Sequence, residues 1–321
     1  MEIALTKQVR TACKAVADRA THVHINYDHI PSYASLLPIE QAQCPELDPQ
    51  SHYLNHGDDT AAFFLTLDTV NFGSGYFPLL RKRPGMSGYF TVAHSLNDFY
   101  KNRGPLTAEE LTHLTIEDCT GIFSQDPANK GVAELMQLFT TALNDLGHYL
   151  LESFDGSCSA LIKAAGSSAE RLVQLLMKMP FFNDVALYDN LKVPFHKRAQ
   201  LTAADLSTAF QGQGLGSFND LDTLTIFADN LVPHVLRVDN VLFYEEALSA
   251  RIDAGELVPS GSAEEIEIRA CAVHAVELLK EELNIMGYDV TSSELDYLLW
   301  NRGQQPYYKA KPRHRTRTVF Y

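Results

Sequence analysis

A single acidic residue inside an apolar stretch is the first candidate for chemistry. Asp229 lies in residues 224–233, LTIFADNLVP, where most neighbouring side chains are apolar, so we expect its carboxylate to be partly buried. Buried acids are normally either paired or functional. The residue and its surroundings alone favour a structural role, at a helix end or in an ion pair, over a catalytic one.

A cluster of cations precedes this segment. Residues 195–200, FHKRAQ, open a helical pattern that continues through Leu201, Ala204 and Leu206. The helix dipole disfavours cations at a helix start. Lys197 and its neighbours therefore suggest phosphate binding or a carboxylate partner, and an exposed basic turn is the alternative.

Three other motifs have simple structural interpretations. The glycine-rich residues 211–216 neither follow a predicted strand nor open a helix, as a phosphate-binding loop would, so they predict a flexible helix connection. His56, Asp58 and Asp59 could belong to a metal site, but the chain has no His-Asp dipeptide, and a polar loop is the better interpretation. Residues 71–77, NFGSGYF, suit a base-stacking platform and a tight turn on the core equally well.

Composition and charge exclude several classes of protein. Of the 321 residues 45% are hydrophobic and 21% are charged, as in an ordinary globular protein. Forty acidic and 26 basic residues give a net charge of −14, which disfavours non-specific binding to nucleic acid or anionic membranes but allows a nucleotide at a local basic site. No apolar run is long enough for a membrane span, and the N-terminus lacks an export signal.

The cysteines do not form a recognisable site. They are scattered, without the spacing of zinc ligands, at Cys13, Cys44, Cys119, Cys158 and Cys271. Cys158 and Cys271 would be nucleophiles only beside a histidine in an electropositive setting, and buried packing is the better interpretation. We expect a soluble, cytoplasmic protein with reduced thiols.

Helical elements must position these residues. Apolar residues at spacings of three and four predict a core helix over residues 135–150 and a second over 172–179, which Ser167 or Ser168 can cap and Pro180 ends. Ser262 with Glu265 forms a capping-box pattern before a long helix, and residues 292–294 begin another.

The remaining segments complete a mainly α interpretation. Glycines and prolines punctuate residues 50–105, which predicts a small irregular region with one hairpin. There is no fixed repeat and no alternation of strands with helices. The basic residues 309–317 are most simply a solvated terminus.

Several of these segments together resemble the queuosine-salvage proteins, the queuosine 5'-phosphate N-glycosylases. The matching stretches run in order from about residue 50 to the end, at 71–78, 87–91, 154–157, 195–200, 227–229 with 232–233, 267–269, 298–300 and 314–317. The resemblance implies a single helical domain, residues 1–321, similar to helix-hairpin-helix DNA glycosylases. Two packed helical halves, about 1–130 and 131–321, are the alternative. It also implies release of queuine from queuosine 5'-phosphate with no metal or organic cofactor.

The resemblance also assigns roles to residues. It makes Asp229 the nucleophile or transition-state stabiliser, with Phe227 in the same pocket, and it implies that the base is held by His52, Asp296, Trp300 and Asn301. Asn301 stands where the family often has Asp, and Asn230-Leu231 where Tyr-Arg commonly follows the catalytic Asp. Phe72 and Trp300 offer flat faces for the heterocycle. Lys197 would keep Asp229 ionised or hold the phosphate.

We therefore expect a hydrolase that acts on a small-molecule substrate, queuosine 5'-phosphate, without direct binding to nucleic acid or membranes. A 7-deazaguanine lacks the ring nitrogen that purine nucleosidases usually protonate, so we name no general acid. Two alternatives stay open: a non-catalytic module that binds queuine or modified RNA, and a glycosylase for another modified nucleoside. The sequence does not indicate an oligomeric state.

Overall fold

The computed structural model of the protein describes residues 4–42 and 45–321. The chain forms two compact units, each built from separate segments. The first unit contains the described parts of Met1–Pro45, Asp184–Lys197 and Asp220–Arg317, and the second contains Glu46–Asn183, Arg198–Asn219 and Thr318–Tyr321. The described chain is mainly helical, as predicted.

Helix Ala263–Ile285 is the central element of the first unit. Ser262 caps it as predicted, because its hydroxyl accepts a hydrogen bond from Glu265 N–H. The second half of the predicted capping box differs, since the Glu265 carboxylate accepts from Gly261 N–H instead. The other α-helices of this unit are Leu5–Ala17, Ile30–Ala34, Val232–Val238, Glu246–Asp253, Ser292–Gly303 and Pro306–Lys309.

The central helix is buried on every side from residue 265 to residue 273. Helices Leu5–Ala17 and Ile30–Ala34 both pack against it. Its charged side chains must therefore find partners inside the protein. Glu267 does so: its Oε2 accepts the N–H groups of residues 21–23 at 2.6–3.0 Å, and its Oε1 accepts the Tyr188 hydroxyl at 2.8 Å.

Two short antiparallel ribbons complete the first unit. Val23–Ile25 pairs with Leu242–Tyr244, and Val185–Tyr188 pairs with Leu191–Pro194. The second ribbon turns at residues 189 and 190, an Asp and an Asn with φ of 44° and 66° that suit a two-residue hairpin loop. Strands of three or four residues are too short for their alternation to stand out in a sequence, and neither ribbon is predicted from the pattern.

Helix Lys130–Phe154 is the longest helix of the second unit and confirms the predicted core helix. The side chain of Asn129 caps it by accepting from the N–H groups of Gly131 and Val132. The other α-helices of this unit are Asp58–Thr69, Gly88–Arg103, Ala108–Thr112, Ile116–Ile122, Cys158–Lys163 and Ala169–Leu176, together with Lys197–Ala209 from its second residue onward.

Two further helix starts are confirmed. Ser168 caps helix Ala169–Leu176 by accepting from Arg171 N–H. This helix ends at Leu176, before the predicted end at residue 179, and a 3-10 turn begins at Pro180. Helix Ser292–Gly303 begins where predicted, although Thr291 is its capping residue. The glycine-rich residues 211–216 connect the end of helix Lys197–Ala209 to the next turn, as predicted for a helix connection.

The predicted irregular region with a hairpin at residues 50–105 is wrong. Helices Asp58–Thr69 and Gly88–Arg103 occupy half of it, and no strand is described there. Residues 60–69 are all buried, so the first of these helices has no polar face and its sequence shows no helical period. The glycines and prolines that interrupt the pattern lie mainly between the two helices.

The basic tail is not a simple solvated terminus. His314 and Thr316 are buried, and Val258 N–H donates to the Arg315 carbonyl at 2.9 Å. A backbone bridge between Leu257 and Arg315 thus fixes the tail within the first unit. Charge count alone cannot reveal this bridge, because it joins residues that are distant in sequence.

Cys44 and residues 1–3 lie outside the described residues. The other four cysteines are free, and Cys13, Cys119 and Cys271 are buried. The predicted packing role fits Cys271, whereas Cys158 is only partly buried. Within residues 4–42 and 45–321, no helix is both long and apolar enough to cross a membrane.

Replacing Gly147 by Ala tests the packing of the second unit. A Cβ at this position would lie 2.7 Å from both Ala108 O and Thr112 N, which are backbone atoms and cannot move aside cheaply. We expect Gly147→Ala to lower the free energy of unfolding by about 1–3 kcal/mol, measured by urea denaturation. Gly121 is an exposed helical glycine with open space around it, and Gly121→Ala should be neutral or stabilising by up to about 1 kcal/mol. Equal effects of the two changes would contradict the packing described.

Candidate active site

Asp229 lies at the end of a buried loop, just before helix Val232–Val238. Residues 225–228 are buried and Asp229 is partly exposed, as predicted. Its Oδ1 accepts the N–H groups of Leu231 at 2.7 Å and Val232 at 3.1 Å, which are donors that a helix start leaves without partners. Its Oδ2 makes no hydrogen bond to any described residue and is the oxygen available to a ligand.

Asp296 is the second acid of this site. It lies in helix Ser292–Gly303 with only 6% of its surface exposed. Its Oδ1 accepts a hydrogen bond from Phe227 N–H at 2.8 Å. This bond connects the helix to the loop two residues before Asp229, and Phe227 itself is buried.

The two acids have different electrostatic environments. Burial, and after it the negative charge of Asp229, raises the pKa of Asp296 well above the usual Asp value of 3.8. The hydrogen bond from Phe227 and the positive charge of Lys197 act in the opposite direction. Paired carboxylates in unequal environments are typical of sites where the two acids have different tasks.

Lys197 begins helix Lys197–Ala209 and is almost fully buried. His196 and Arg198 are also buried, so the exposed basic turn considered for this segment is wrong. The backbone N–H of Lys197 donates to Asp184 Oδ2 at 3.3 Å. Because its charge opposes the increase in the pKa of Asp296, Lys197 acts on a carboxylate of the site.

A buried ion pair supports the loop of Asp229. Arg269 donates from Nη1 to Asp184 Oδ1 at 3.1 Å and from Nη2 to Asp184 Oδ2 at 2.6 Å, and its Nε donates to the Ala228 carbonyl at 3.0 Å. The guanidinium lies 3.9 Å from the ring centre of Phe195. Sequence reasoning did not assign a role to this pair. Two signals pointed to Arg269: it lies in the matching stretch 267–269, and it is a charged residue inside the apolar run of a core helix.

Trp300 shares a helix face with Asp296, since the two are four residues apart. Trp300 is half-buried. Asn301 is exposed and points about 100° away from Trp300 around the helix axis. The helix therefore presents Asp296 and Trp300 together, and Asn301 separately.

His52 and Phe72 belong to the second unit. His52 is buried, and its Nδ1 donates to the Asp48 carbonyl while its Nε2 accepts from the Tyr89 hydroxyl, both at 3.0 Å. Burial lowers the pKa of His52, which favours this neutral form. Its ring is stacked on that of Phe64.

Phe72 is also buried, beneath the guanidinium of Arg198 at 4.9 Å from the ring centre. Residues 71–77 form a tight turn in which Tyr76 N–H donates to Gly73 O. Gly73 has a φ of 95° and packs on Leu135 of the core helix. Of the two interpretations of this motif, the turn on the core is confirmed.

Arg313 is a further residue that sequence reasoning missed. It is partly buried, and burial lowers its pKa while the negative charge of Asp229 acts to raise it. Arg313 is therefore a cation close enough to interact with Asp229. Arg313 belongs to the basic residues 309–317, and in the sequence only the charge of this segment indicated that it could bind an acid.

The residues that could have formed a metal site are not grouped in the described part of the chain. Within the described residues no group of three His, Cys, Asp or Glu side chains could hold a metal ion. His56, Asp58 and Asp59 are exposed, and both aspartates lie in the first turn of helix Asp58–Thr69. Burial raises the pKa of Cys158 to about 12 and that of Cys271 further, so neither is a ready thiolate.

The mainly helical fold and the coupled carboxylates define a class of protein with an acidic site on a helical scaffold. The family model described as Queuosine salvage protein matches residues 51–321. The chain belongs to this family, which confirms the resemblance found in the sequence.

Curated relatives match nearly the whole chain. One from Sphaerobacter thermophilus is 36% identical and covers 98% of this chain and 97% of its own. Those from Dictyostelium discoideum and Mus musculus are 32% and 29% identical and cover 99% and 97% of this chain and 95% and 98% of their own. All three are named queuosine 5'-phosphate N-glycosylase/hydrolase.

Replacing Asp296 by Asn tests the raised pKa. The variant keeps an acceptor for Phe227 N–H but cannot ionise. Because Asp296 ionises less readily in the folded than in the unfolded chain, its contribution to the stability of the native protein is lost as the pH rises above the ordinary Asp value. The Asp296→Asn variant has no such contribution to lose. We expect the Tm of the variant, relative to the native protein, to increase from about pH 4 upward. Thermal unfolding across pH checks this, and a Tm difference that does not change with pH would contradict it.

Proposed function

We propose that this protein is an N-glycosyl hydrolase that cleaves queuosine 5'-phosphate to queuine and ribose 5-phosphate, for salvage of queuine into tRNA modification. The names of the relatives support this substrate. Those relatives match the present chain over almost their whole lengths. The reaction type is supported by the carboxylates of the first unit.

The observation that carries the reaction is the placement of Asp229. Two backbone N–H groups hold Oδ1, and Oδ2 makes no hydrogen bond to the described chain. Cleavage of a ribosyl C–N bond develops positive charge on the anomeric carbon, and an ionised carboxylate facing that carbon stabilises it. Asp229 Oδ2 is suited to this role.

The steps of the reaction balance with water as the only co-reactant. The bond between the anomeric carbon and the base nitrogen breaks, and its electron pair goes to the nitrogen. A water oxygen bonds to the carbon, and one water proton passes to the base. Asp229 either stabilises the positively charged carbon as an ion pair or bonds to it and forms a covalent adduct that water then hydrolyses. Both are compatible with its position.

Asp296 and Trp300 are proposed to hold the base, with Phe227 in the same pocket. A carboxyl group with a raised pKa can donate one hydrogen bond when protonated and accept hydrogen bonds from a lactam and an amine when ionised. Lys197 supplies a positive charge near these groups, to tune the carboxylates or to hold the phosphate. His52, Phe72 and Asn301 stay predictions from the family resemblance.

Four broader expectations are part of the proposal. They are one functional domain over residues 1–321, a likeness to helix-hairpin-helix DNA glycosylases, a cytoplasmic location, and action on a free nucleotide rather than on nucleic acid. The reaction is also expected to proceed without a metal or organic cofactor, and unchanged turnover after treatment with a chelator would support this.

Asp229→Asn tests the catalytic role. The amide keeps an acceptor for the backbone N–H groups but carries no charge, so we expect queuine release to fall by at least about 10³-fold with little change in folding. Chromatography measures the free base, and circular dichroism checks the fold. Asp222→Asn is the matched control, because Asp222 is an exposed acid of the same unit.

Retained activity in Asp229→Asn would remove this residue from the mechanism. A panel of nucleoside 5'-phosphates tests the substrate with the native protein. Release of a different base, with none from queuosine 5'-phosphate, would indicate another glycosylase. Binding of queuine without any release would indicate a non-catalytic module.

A further inference from the structure

We propose that Asp184 and Arg269 are positioning residues, whose buried ion pair holds the backbone at both Asp229 and Lys197. This inference rests on the proposed function, because it states how the reacting carboxylate and its neighbouring cation are kept in place. Neither member touches the substrate in this proposal: their side chains are 3% and 1% exposed.

Arg269 fixes the loop of Asp229. Its Nε donates to the carbonyl of Ala228, the residue directly before Asp229, at 3.0 Å. The two other nitrogens of its fork donate to Asp184, so the guanidinium has a single orientation. Phe195 packs against its face. A shift of this group would move the Ala228 carbonyl and, with it, the carboxylate of Asp229.

Asp184 fixes the start of the helix that carries Lys197. Its Oδ2 accepts Lys197 N–H at 3.3 Å, and its backbone carbonyl accepts the N–H groups of Phe195 at 2.9 Å and His196 at 3.2 Å. His196 has a φ of 48°, a left-handed conformation that a side chain disfavours and that surrounding contacts must hold. The same aspartate therefore determines the backbone at Lys197 and the orientation of Arg269.

Glu267 offers a matched comparison on the same helix. It is fully buried and accepts three backbone N–H groups of residues 21–23 and the Tyr188 hydroxyl. None of these partners belongs to the proposed site. Loss of Glu267 should therefore affect stability alone, whereas loss of Arg269 should affect the geometry of Asp229 as well.

Arg269→Lys is the first test. Lysine keeps the charge opposite Asp184 but cannot reach both Asp184 and Ala228 O with a rigid fork. We expect kcat for queuine release to fall about 10–100-fold, since small displacements of a reacting group cost this much. The Kd for queuine should change by less than about threefold, because the base is held elsewhere. Glu267→Gln should lower Tm and leave the kcat of the folded protein unchanged.

A second variant addresses failure to fold. Asp184→Asn combined with Arg269→Gln removes both charges of the pair, so neither partner is left as a buried ion without the other. Glu265, whose Oε1 lies 3.5 Å from Arg269 Nη1, keeps its hydrogen bond from Gly261 N–H. We expect this double variant to fold better than Asp184→Asn alone and still to show the lowered kcat. A folded double variant or Arg269→Lys with native kcat would overturn the proposal, as would an equal loss of kcat in Glu267→Gln.

Amide hydrogen exchange in residues 224–233 separates this inference from the proposed function, because it needs no substrate. Exchange should be faster in Arg269→Lys than in both the native protein and Glu267→Gln. Unchanged exchange overturns the positioning role even if the enzyme is active. Faster exchange in a protein that releases no queuine would instead reject the proposed function and keep the positioning role.

Discussion

The buried pair of Arg269 and Asp184 is the constraint on which the first unit depends. Two charges taken out of water are tolerated only with good geometry and with further hydrogen bonds to their remaining atoms. Here those further bonds go to the backbone at Ala228 and Lys197. Glu265 Oε1 also lies 3.5 Å from Arg269 Nη1, so removal of Arg269 would leave buried carboxylates without their cation, at a cost of about 3–5 kcal/mol. The requirement to satisfy the pair therefore determines the backbone around it.

The loop at residues 227–229 is held at each of its three residues. Phe227 donates its N–H to Asp296, Ala228 accepts at its carbonyl from Arg269, and Asp229 accepts from the N–H groups of the following helix. These bonds leave Oδ2 of Asp229 without a hydrogen bond to the described chain. Asp296, whose pKa is raised, is buried, whereas Asp229 is partly exposed, so the two aspartates of the site differ in burial.

A buried arginine organises the second unit in a similar way. Arg198 donates to the carbonyls of Asp68, Thr69 and Val319 at 2.7–2.8 Å. Its guanidinium also lies over the rings of Phe72 and Phe182. The adjacent cations Lys197 and Arg198 thus have separate tasks, one acting on a carboxylate of the first unit and the other joining backbone segments of the second.

Local features of the sequence predict three helices, over residues 135–150 and 172–179 and after Ser262, because periodic apolar residues and capping side chains act over short distances. The structure has them at Lys130–Phe154, Ala169–Leu176 and Ala263–Ile285. Prediction from the sequence failed at residues 58–69, where burial on all sides removes the period. Asp229 stood out as an acid in an apolar run, and motif resemblance gave its family. The groups that surround Asp229 could not be predicted, since the bonds that hold its loop and the buried pair join residues 41, 69 and 85 positions apart. Such contacts follow from packing of the whole chain and leave no local pattern.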